Sequence, residues 1–507
     1  MKEQSLDKRS HSRTSALAMG AAEFRETGHR LIEQIAEFYE SLPERELTTA
    51  KSLSQIRQLL GSDRLPEQGT PAGELLKEVA PLVFDHSLHN GHPRFLGYIS
   101  ASAAPLGALA ELLAAAVNSN VAKWELSPIA SEIETQTIGW LAELIGYPSH
   151  SGGIMVSGGN SANFHGFVAA RQAAAQWDIR EEGLYGEPRK LTAYASRETH
   201  TWIDKAAEVC GLGAAAVRWI DTDDRQRMSL DALRRQVEVD KRKGYLPFLI
   251  VGTAGTVSTG AIDPLRAMAA YCKDQRIWMH VDGAYGAPAA SLPESPDDLH
   301  ALDLADSVAV DPHKWLYSPF EAACILTRNP DALSNAFRFR PDYYHFNGED
   351  VSGIDYYQHG LQNSRGFRAL KVWLGLRRAG REGYRAMIRD DIAIASHLFK
   401  KVDNNPDFEA RSLSLSVATF RYIPAGIKNG GDGVFDYLNQ LNKALLAEVQ
   451  KSGRAFVSNA NVDGDYLLRA CVVNFRTTKS DIDSVIDVIS EIGKSLDDRM
   501  RPAYLAA

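Results

Sequence analysis

Between about residues 150 and 330, short apolar runs alternate with longer amphipathic stretches. Runs of this length are typical of strands buried in a sheet, and helices of about 10 to 15 residues separate them. The alternation predicts a mostly parallel sheet with helices on both faces, because parallel neighbours need a crossover connection. The predicted strands cover residues 153–156, 191–196, 217–220, 248–251, 278–282 and 307–310.

The regions on either side have a different pattern. Apolar residues have helical spacing over 21–42, 52–60 and 72–84, and three helices this short bury little apolar surface by themselves. Beyond Gly380, helical patterns and two strand-like runs predict a small α+β domain. The expected division is a disordered tail at 1–19, a helical segment at 20–90, a large domain at 91–380 and a small C-terminal domain at 381–507.

Composition and charge exclude several classes of protein. The 507 residues are 44% hydrophobic and 24% charged, which is ordinary for globular proteins, and a net charge of -8 argues against nucleic-acid binding. The four cysteines are scattered, so we expect neither a metal site nor a disulfide framework. The longest apolar tract, 106–117, contains Glu111 and is too short to span a bilayer. Because no signal-like segment follows Met1, we expect a cytoplasmic protein.

One lysine, Lys314, closely follows the predicted buried strand at 307–310. Pro312 ends that strand because proline has no N–H for the sheet. An amine held at the end of a core strand is partly desolvated, which is expected to lower its pKa and make it a nucleophile. The chemistry that most needs such an amine is a Schiff base with an aldehyde, above all pyridoxal phosphate. The alternative is a surface lysine with a buried stem.

A second predicted strand, 278–282, ends in Asp282. A carboxylate there can pair with a pyridinium nitrogen and keep it protonated, and the small residues Gly283 and Ala284 let a flat ring lie against the backbone. Asp282 would otherwise be an ordinary helix N-cap. Right-handed crossovers place Asp282 and Lys314 at one edge of the sheet, and the pair is far more specific than either residue alone.

The sequences His-Val-Asp-Gly-Ala-Tyr at 280–285 and Asp-Pro-His-Lys-Trp at 311–315 resemble the group II pyridoxal-phosphate-dependent decarboxylases. That family includes aromatic-L-amino-acid, glutamate and cysteine-sulfinate decarboxylases. The likeness extends from about residue 24 into the C-terminal region. It implies an α/β fold of the aspartate aminotransferase type (fold type I of the PLP-dependent transferases), pyridoxal 5'-phosphate as cofactor and an L-amino acid as substrate. It also implies an obligate homodimer in which residues 20–90 pack across the partner. The alternative for these residues is a self-contained helical cap on the same subunit.

A strand, the turn Gly-Gly-Asn at 158–160 and a helix follow one another in the sequence. This arrangement points backbone N–H groups at whatever lies beside Gly159 and Asn160, and phosphate is the natural occupant. Glycines also serve turns for purely structural reasons. In the resembled family this turn is the phosphate loop, with Gly159 and Asn160 in the contacting places.

The resemblance also implies roles for three other side chains. His200 would stack on the cofactor ring and approach the substrate carboxylate, and His313 would join Lys314 in the catalytic set. The hydroxyl of Thr256 is a candidate ligand for the phenolic oxygen of the cofactor or for the substrate. Here the chain departs from the family, because Val257 stands where a second threonine is common.

Beyond Arg328, the segments 337–344 and 353–360 are rich in Asp, Gly and Tyr and lack periodicity, which predicts a mobile loop. Aligned with the family, Tyr356 falls on the loop tyrosine that protonates the substrate carbon after CO2 leaves. Tyr357 stays open as the donor, and a tyrosine that only packs the loop edge is the alternative. By family analogy, tyrosine rather than phenylalanine there favours simple decarboxylation over aldehyde formation.

The sequence therefore predicts decarboxylation of an L-amino acid, with an aromatic substrate (tyrosine, dopa, phenylalanine or tryptophan) favoured. Ser364 stands where plant members of the resembled family with phenolic substrates carry serine, and this resemblance points to tyrosine or dopa. Residues 91–95 and 118–120 instead resemble the glutamate branch and leave an acidic substrate open. An aldehyde-forming, lyase or aminotransferase relative of the same fold is a further alternative. Intact Lys314 and Asp282 disfavour a non-enzymatic scaffold protein.

Overall fold

The computed structural model describes residues 15–61, 64–339, 353–427 and 433–505. The chain divides into two compact units, one comprising Met1–His89 and Lys451–Gly453 and the other comprising Asn90–Gln450 and Arg454–Ala507. Of the predicted tail at 1–19, residues 1–14 lie outside the described residues.

The first unit contains the three helices that the apolar spacing predicts: α1 (Ala21–Ser41), α2 (Leu53–Leu60) and α3 (Ala72–His86). Ser52 starts α2 because its hydroxyl accepts the N–H of Gln55 while the Gln55 side chain accepts the N–H of Ser52. Phe38 of α1 stacks on Phe84 of α3, with 4.8 Å between ring centroids.

The second unit contains eleven helices in the described part of the chain. They are α4 (Pro105–Val117), α5 (Pro128–Leu144), α6 (Gly159–Ala174), α7 (Trp202–Val209), α8 (Leu230–Arg242), α9 (Leu265–Gln275), α10 (Asp297–His300), α11 (Ala332–Phe337), α12 (Ala369–Asp403), α13 (Val434–Lys451) and α14 (Lys479–Met500). The apolar tract at 106–117 forms α4. Among the described residues, no helix combines the length and the apolar content needed to cross a membrane.

The same unit contains eleven strands in two sheets. They are β1 (Gly152–Val156), β2 (Leu191–Ser196), β3 (Val217–Ile220), β4 (Leu246–Thr253), β5 (Trp278–Asp282), β6 (Ser307–Val310), β7 (Ala323–Thr327), β8 (Phe408–Ser414), β9 (Val417–Tyr422), β10 (Ser458–Val462) and β11 (Asp465–Cys471). The large sheet has the order β1-β7-β6-β5-β4-β2-β3, and only β7 runs antiparallel to its neighbours. The prediction of a mostly parallel sheet is therefore confirmed, and its strands are buried as expected of a sheet covered on both faces.

The register of the central strands sets the position of the functional groups. Thr253 at the end of β4 lies opposite Asp282 at the end of β5, and Asp282 lies opposite Ala309 of β6. Because these strands are parallel, their carboxyl ends meet at one edge of the sheet. The residues that follow β6, including Lys314, begin at that edge.

The small sheet is antiparallel, with the order β10-β11-β9-β8. The sequence predicts β9 and β11 but not β8 or β10, which are its two edge strands. In β10 (Ser-Asn-Ala-Asn-Val) only alternate residues are buried, so no apolar run marks the strand. The division at residue 380 stays a prediction: α12 crosses it, although Gly380 has a left-handed φ of 64° that interrupts the helix.

Candidate active site

A cavity of about 280 Å³ opens at the carboxyl ends of β4 and β5 and at the first residues of α6. Seven of the predicted site residues line it: Gly159, Asn160, His200, Asp282, Ala284, His313 and Lys314. A larger cavity, of about 660 Å³, includes Phe248 and Trp278 from the starts of the same two strands and contains none of the predicted groups. Chemistry rather than size therefore selects the smaller cavity as the candidate site.

Lys314 lies in the turn that follows β6, with 23% of its side chain exposed. Its Nζ is 3.1 Å from Oδ2 of Asp311. Burial lowers the pKa of Lys314, but the carboxylates of Asp311 and Asp282 outweigh that effect and raise the pKa above its usual value. The sequence-based expectation of a lowered pKa was therefore wrong, because burial alone could be inferred and the two neighbouring carboxylates could not.

Asp311 is buried beside both predicted catalytic residues of this turn. Nε2 of His313 lies 3.5 Å from the Asp311 oxygen that also faces Lys314. Nδ1 of His313 accepts the N–H of Ala322, so the ring proton lies on Nε2 and faces the carboxylate. Burial lowers the pKa of His313 despite the opposing effect of Asp311, which keeps the ring neutral. Sequence reasoning missed Asp311, although it opens the Asp-Pro-His-Lys-Trp motif.

Asp282, 8% exposed, is held by three hydrogen bonds. Its Oδ2 accepts from Nδ2 of Asn163 at 3.0 Å and from Nε1 of Trp202 at 2.9 Å, and its Oδ1 accepts the N–H of Ala284. These donors stabilise the charged carboxylate and fix its orientation. Asn163 and Trp202 were missed because they are 119 and 80 residues from Asp282 in sequence, and nothing in a single sequence pairs them.

Asn163 is itself fixed by a chain of hydrogen bonds that begins at the start of β5. Trp278 donates to the hydroxyl of Ser307, and that hydroxyl lies 2.8 Å from Nδ1 of His280. Nε2 of His280 lies 2.8 Å from Oδ1 of Asn163. Because Oδ1 of Asn163 can only accept, His280 carries its proton on Nε2. Burial lowers the pKa of His280 to about 4, so the ring stays neutral.

His200 lies on the connection between β2 and α7, where it lines the cavity while its side chain stays largely exposed. Burial lowers its pKa, Asp282 opposes this effect and Lys314 adds to it. The net result is an imidazole that is neutral at pH 7. Because a neutral ring carries no charge that has to be desolvated, it can pack against a flat ligand at little cost in free energy.

Gly159 is the first residue of α6, so the free N–H groups of the first helical turn lie beside the cavity. A Cβ at this position would lie 2.6 Å from Oδ2 of Asp311, closer than side chains tolerate. Only glycine lets the helix start approach the Lys314 turn this closely.

Comparison with known proteins gives these groups a context. The family model described as "Pyridoxal-dependent decarboxylase conserved domain" matches residues 54–423. The chain belongs to this family of decarboxylases. It is 32% identical over 482 residues to the aromatic-L-amino-acid decarboxylase of Bacillus atrophaeus, covering 95% of this chain and 97% of that protein. The family membership inferred from the sequence motifs is therefore confirmed.

Two further relatives differ in the product or substrate that their names give. The phenylacetaldehyde synthase of Petunia hybrida is 29% identical over 476 residues, which cover 92% of this chain and 93% of that protein. The crystal structure of Catharanthus roseus tryptophan decarboxylase in complex with L-tryptophan is 27% identical, with a TM-score of 0.84 over 94% of this chain and 99% of that one. The likeness confirms the predicted fold class.

The cavity of the decarboxylase fits pyridoxal phosphate. Among the described residues that line it, Lys314 supplies the one primary amine, and the Asp282 carboxylate lies on the adjacent strand. The start of α6 supplies unpaired N–H groups for an anion. Oδ1 of Asp311 is buried with no hydrogen-bond partner in the described part of the chain, so the site still lacks a donor.

Thr256, by contrast, does not line the cavity. It is completely buried, and its hydroxyl bonds to the hydroxyl of Thr259 and accepts the N–H of Ala261. The turn that it closes presents Val257 to the cavity instead, next to Thr253, which sequence reasoning missed. In this arrangement Thr256 shapes the wall, and its hydroxyl is not directed at a ligand.

The structure does not bring Tyr356 to the cavity either. Its side chain is 1% exposed, with its hydroxyl 2.9 Å from that of Thr135 and its ring under the guanidinium of Arg365. Burial raises its pKa well above the usual value. This placement agrees with the alternative in which Tyr356 only packs the edge of the loop. It does not support the prediction that Tyr356 is the proton donor. Tyr357 is held by its N–H to the Ala122 carbonyl, and residues 340–352 of the predicted loop lie outside the described residues.

Replacing Gly159 by alanine should weaken cofactor binding. The new Cβ meets Asp311 at 2.6 Å, so either the helix start or the Lys314 turn has to move away from its place beside the cavity. We expect the Kd for pyridoxal phosphate, measured by absorbance titration, to rise about tenfold or more. Gly139 of α5 is the matched control, because a Cβ there meets nothing within 4 Å. Equal affinities for the two variants would contradict a cofactor phosphate at the start of α6.

Proposed function

We propose that this decarboxylase converts an aromatic L-amino acid into the corresponding amine and CO2. The observation that carries the proposal is the joint presence of Lys314 and Asp282 on one cavity, at the ends of two adjacent parallel strands. Bound pyridoxal phosphate supplies an aldehyde and a ring that takes up the electron pair left when CO2 departs. The residues of this chain hold the cofactor, orient the substrate and control the protonation of both.

Each group in the cavity has a role that its surroundings support. Lys314 supplies the amine for covalent attachment of the aldehyde, and the N–H groups beside Gly159 and Asn160 hold the phosphate. Asp282, fixed by its three donors, keeps a proton on the ring nitrogen. Ala284 leaves room for the ring on one side.

His200 lines the cavity, where its neutral ring would pack against the cofactor and orient the substrate carboxylate. The cofactor would supply the electron sink for the bond that breaks. His313 stays neutral, with its Nε2 proton directed at Asp311, so it orients the carboxylate that faces Lys314. The proton donor to the substrate carbon is the one catalytic role that the described residues leave unassigned.

The cavity favours a substrate with an uncharged side chain. Among the described residues that line it, Lys314 is the one side chain that carries a full positive charge, and its amine is taken up by the cofactor. A second substrate carboxylate would find no arginine or lysine there, and a buried charge without a partner is costly. Ile99, Val257 and Tyr285 instead offer apolar and aromatic surface. The relatives named for aromatic amino acids support the same substrate class.

Incubating the purified protein and cofactor with the twenty amino acids, tyrosine and tryptophan among them, and with dopa tests the substrate. CO2, amine and aldehyde are measured in parallel. We expect kcat/KM for the best aromatic substrate to exceed that for glutamate or aspartate more than about 100-fold. An acidic amino acid as the best substrate would overturn the proposal, and an aldehyde product would place the chain with its Petunia relative. No CO2 from any amino acid would overturn the decarboxylation and leave a lyase, an aminotransferase or a non-catalytic role.

The protein is also proposed to act as a homodimer. One face of α4 exposes Leu109, Leu112, Leu113 and Val117, each more than half open to solvent. Four large apolar side chains on neighbouring turns are rarely left in water, and a second copy is the partner that the family resemblance implies. Light scattering should give twice the 55.7 kDa of one chain, and Leu113→Glu should shift the mass toward one chain. A wild-type mass of 55.7 kDa would contradict the dimer; the cytoplasmic location stays a prediction.

A further inference from the structure

We propose that Asp391, on α12, is a positioning residue that fixes the turn carrying Lys314. Its Oδ2 accepts hydrogen bonds from two aromatic side chains of that turn, Nε1 of Trp315 at 2.9 Å and the hydroxyl of Tyr317 at 2.6 Å. The two donors come one and three residues after Lys314, while Asp391 lies more than 70 residues further along the chain. The proposal rests on the proposed function, because it assigns Lys314 the cofactor.

The turn needs this support because its backbone is strained. Tyr317 has a φ of 54°, in the left-handed region that a bulky residue rarely adopts. The N–H of Tyr317 donates to the Lys314 carbonyl, and the N–H of Lys314 donates to the Asp311 carbonyl. A change in the conformation of Tyr317 is therefore passed directly to Lys314. The hydrogen bond to Asp391 holds the Tyr317 side chain in the orientation that keeps this conformation.

Trp315 connects the same carboxylate to the wall of the cavity. Its indole is fully buried and stacks on Tyr285, with ring centroids 4.9 Å apart and planes 12° from parallel. Tyr285 lines the cavity, and its hydroxyl is in turn bonded to Ser416. Asp391 thus sets the position of Lys314 on one side and of an aromatic wall residue on the other.

Among the described residues, Asp391 acts as a hydrogen-bond acceptor and not as one half of an ion pair. It is 1% exposed, and no lysine, arginine or histidine forms a salt bridge with it in the described part of the chain. The titratable groups around it are Asp390 on α12, Tyr317 in the turn, Tyr285 after β5 and Cys471 on β11. Burial raises the pKa of Asp391 to about 7. The bonds that this buried carboxyl accepts come from Trp315 and Tyr317 of the turn and from the backbone N–H of Asn474, so two of its three donors belong to the turn.

The experiment compares two substitutions that differ in one property. Asp391→Asn keeps an oxygen where Oδ2 lies, so both aromatic donors are still accepted, whereas Asp391→Leu keeps the volume and removes the acceptor. Each holoenzyme is titrated for its pyridoxal phosphate Kd and for the pH midpoint of the bound-cofactor absorbance band. We expect Asp391→Leu to raise Kd about tenfold or more and to shift the midpoint by about one pH unit. We expect Asp391→Asn to keep both quantities close to their wild-type values.

Asp497 provides the matched control for loss of stability. It is also a buried carboxylate that accepts a tyrosine hydroxyl, that of Tyr437, but it lies on α14 and its other partner is Arg501 rather than the Lys314 turn. Asp497→Leu should lower the midpoint of thermal unfolding and leave the absorbance midpoint unchanged. A merely structural role for Asp391 would make the two leucine variants behave alike.

Tyr317→Phe keeps the proposal testable if Asp391→Leu does not fold. It removes one hydroxyl, and we expect a smaller shift of the absorbance midpoint in the same direction, with no further shift when it is combined with Asp391→Asn. If Asp391→Leu or Tyr317→Phe keeps Kd within about twofold and the midpoint within about 0.2 pH units of wild type, the positioning role is overturned. A wild-type protein that binds no cofactor would instead overturn the proposed function.

Discussion

Lys314→Arg should abolish turnover while leaving the fold intact. Arginine keeps a positive charge beside Asp311, which lies 3.1 Å from the Lys314 amine, but its guanidinium does not lose a proton and cannot bond to an aldehyde. We expect kcat to fall about a thousandfold or more, as when other enzymes lose a covalent group. The unfolding midpoint should change little, because the ion pair survives.

Borohydride reduction followed by peptide mapping tests directly whether the cofactor is bonded covalently to Lys314. Wild-type protein should carry the cofactor tag on the peptide that contains residue 314, and the arginine variant should carry none. Lys273→Arg is the matched control, an exposed lysine on α9 outside this cavity, and it should keep both the tag and the turnover. A tag on another peptide, or full turnover in Lys314→Arg, would refute the assignment of the amine.

The second large effect is expected at a buried ion pair between α5 and the segment that precedes α12. Arg365 and Glu134 are 1% and 0% exposed, with Nη2 of Arg365 2.5 Å from Oε1 of Glu134. The same guanidinium donates to the carbonyls of Met155 and Val121, and Glu134 accepts the N–H of Met155. Since β1 is an edge strand of the large sheet, this pair satisfies backbone groups that no neighbouring strand reaches.

Arg365→Leu should lower the free energy of unfolding by roughly 3 to 5 kcal/mol, because it leaves a buried carboxylate without a partner. The double variant Arg365→Leu/Glu134→Leu should recover part of this loss, since neither charge is then stranded. Denaturant titration measures both. Arg381→Leu, which breaks the exposed pair with Glu143, is the control and should cost less than about 1 kcal/mol. A double variant less stable than Arg365→Leu would contradict this account.

The ends of β5 and β6 show why much of the site was accessible from the sequence. Both strands are short and mostly apolar, so their bounds could be read from the sequence, and Asp282 and Lys314 stand out at or after their ends. Parallel order then forces Asp282 and Lys314 to the same edge, whatever the details of packing. Local pattern and topology were enough for these two groups.

The remaining parts of the site depend on contacts between distant residues. The direction of the Lys314 pKa shift depends on how closely Asp311 and Asp282 approach, and the fixation of Asp282 depends on Asn163 and Trp202. Tyr356 could be assigned to a loop from composition, but its burial beneath Arg365 follows from tertiary packing. No pattern of apolar and polar residues along the sequence indicates any of these contacts.

The hydrogen-bond chain that ends at Asp282 has a single direction. Every link gives its hydrogen in the same sense, from the indole of Trp278 through Ser307 and His280 to the amide of Asn163. An indole begins this chain of hydrogen bonds and a carboxamide ends it, and neither group ionises at physiological pH. The hydrogen bonds that Asp282 accepts from Asn163, Trp202 and Ala284 therefore come from groups that do not titrate, so a ring nitrogen facing Asp282 would be the group that exchanges a proton with it.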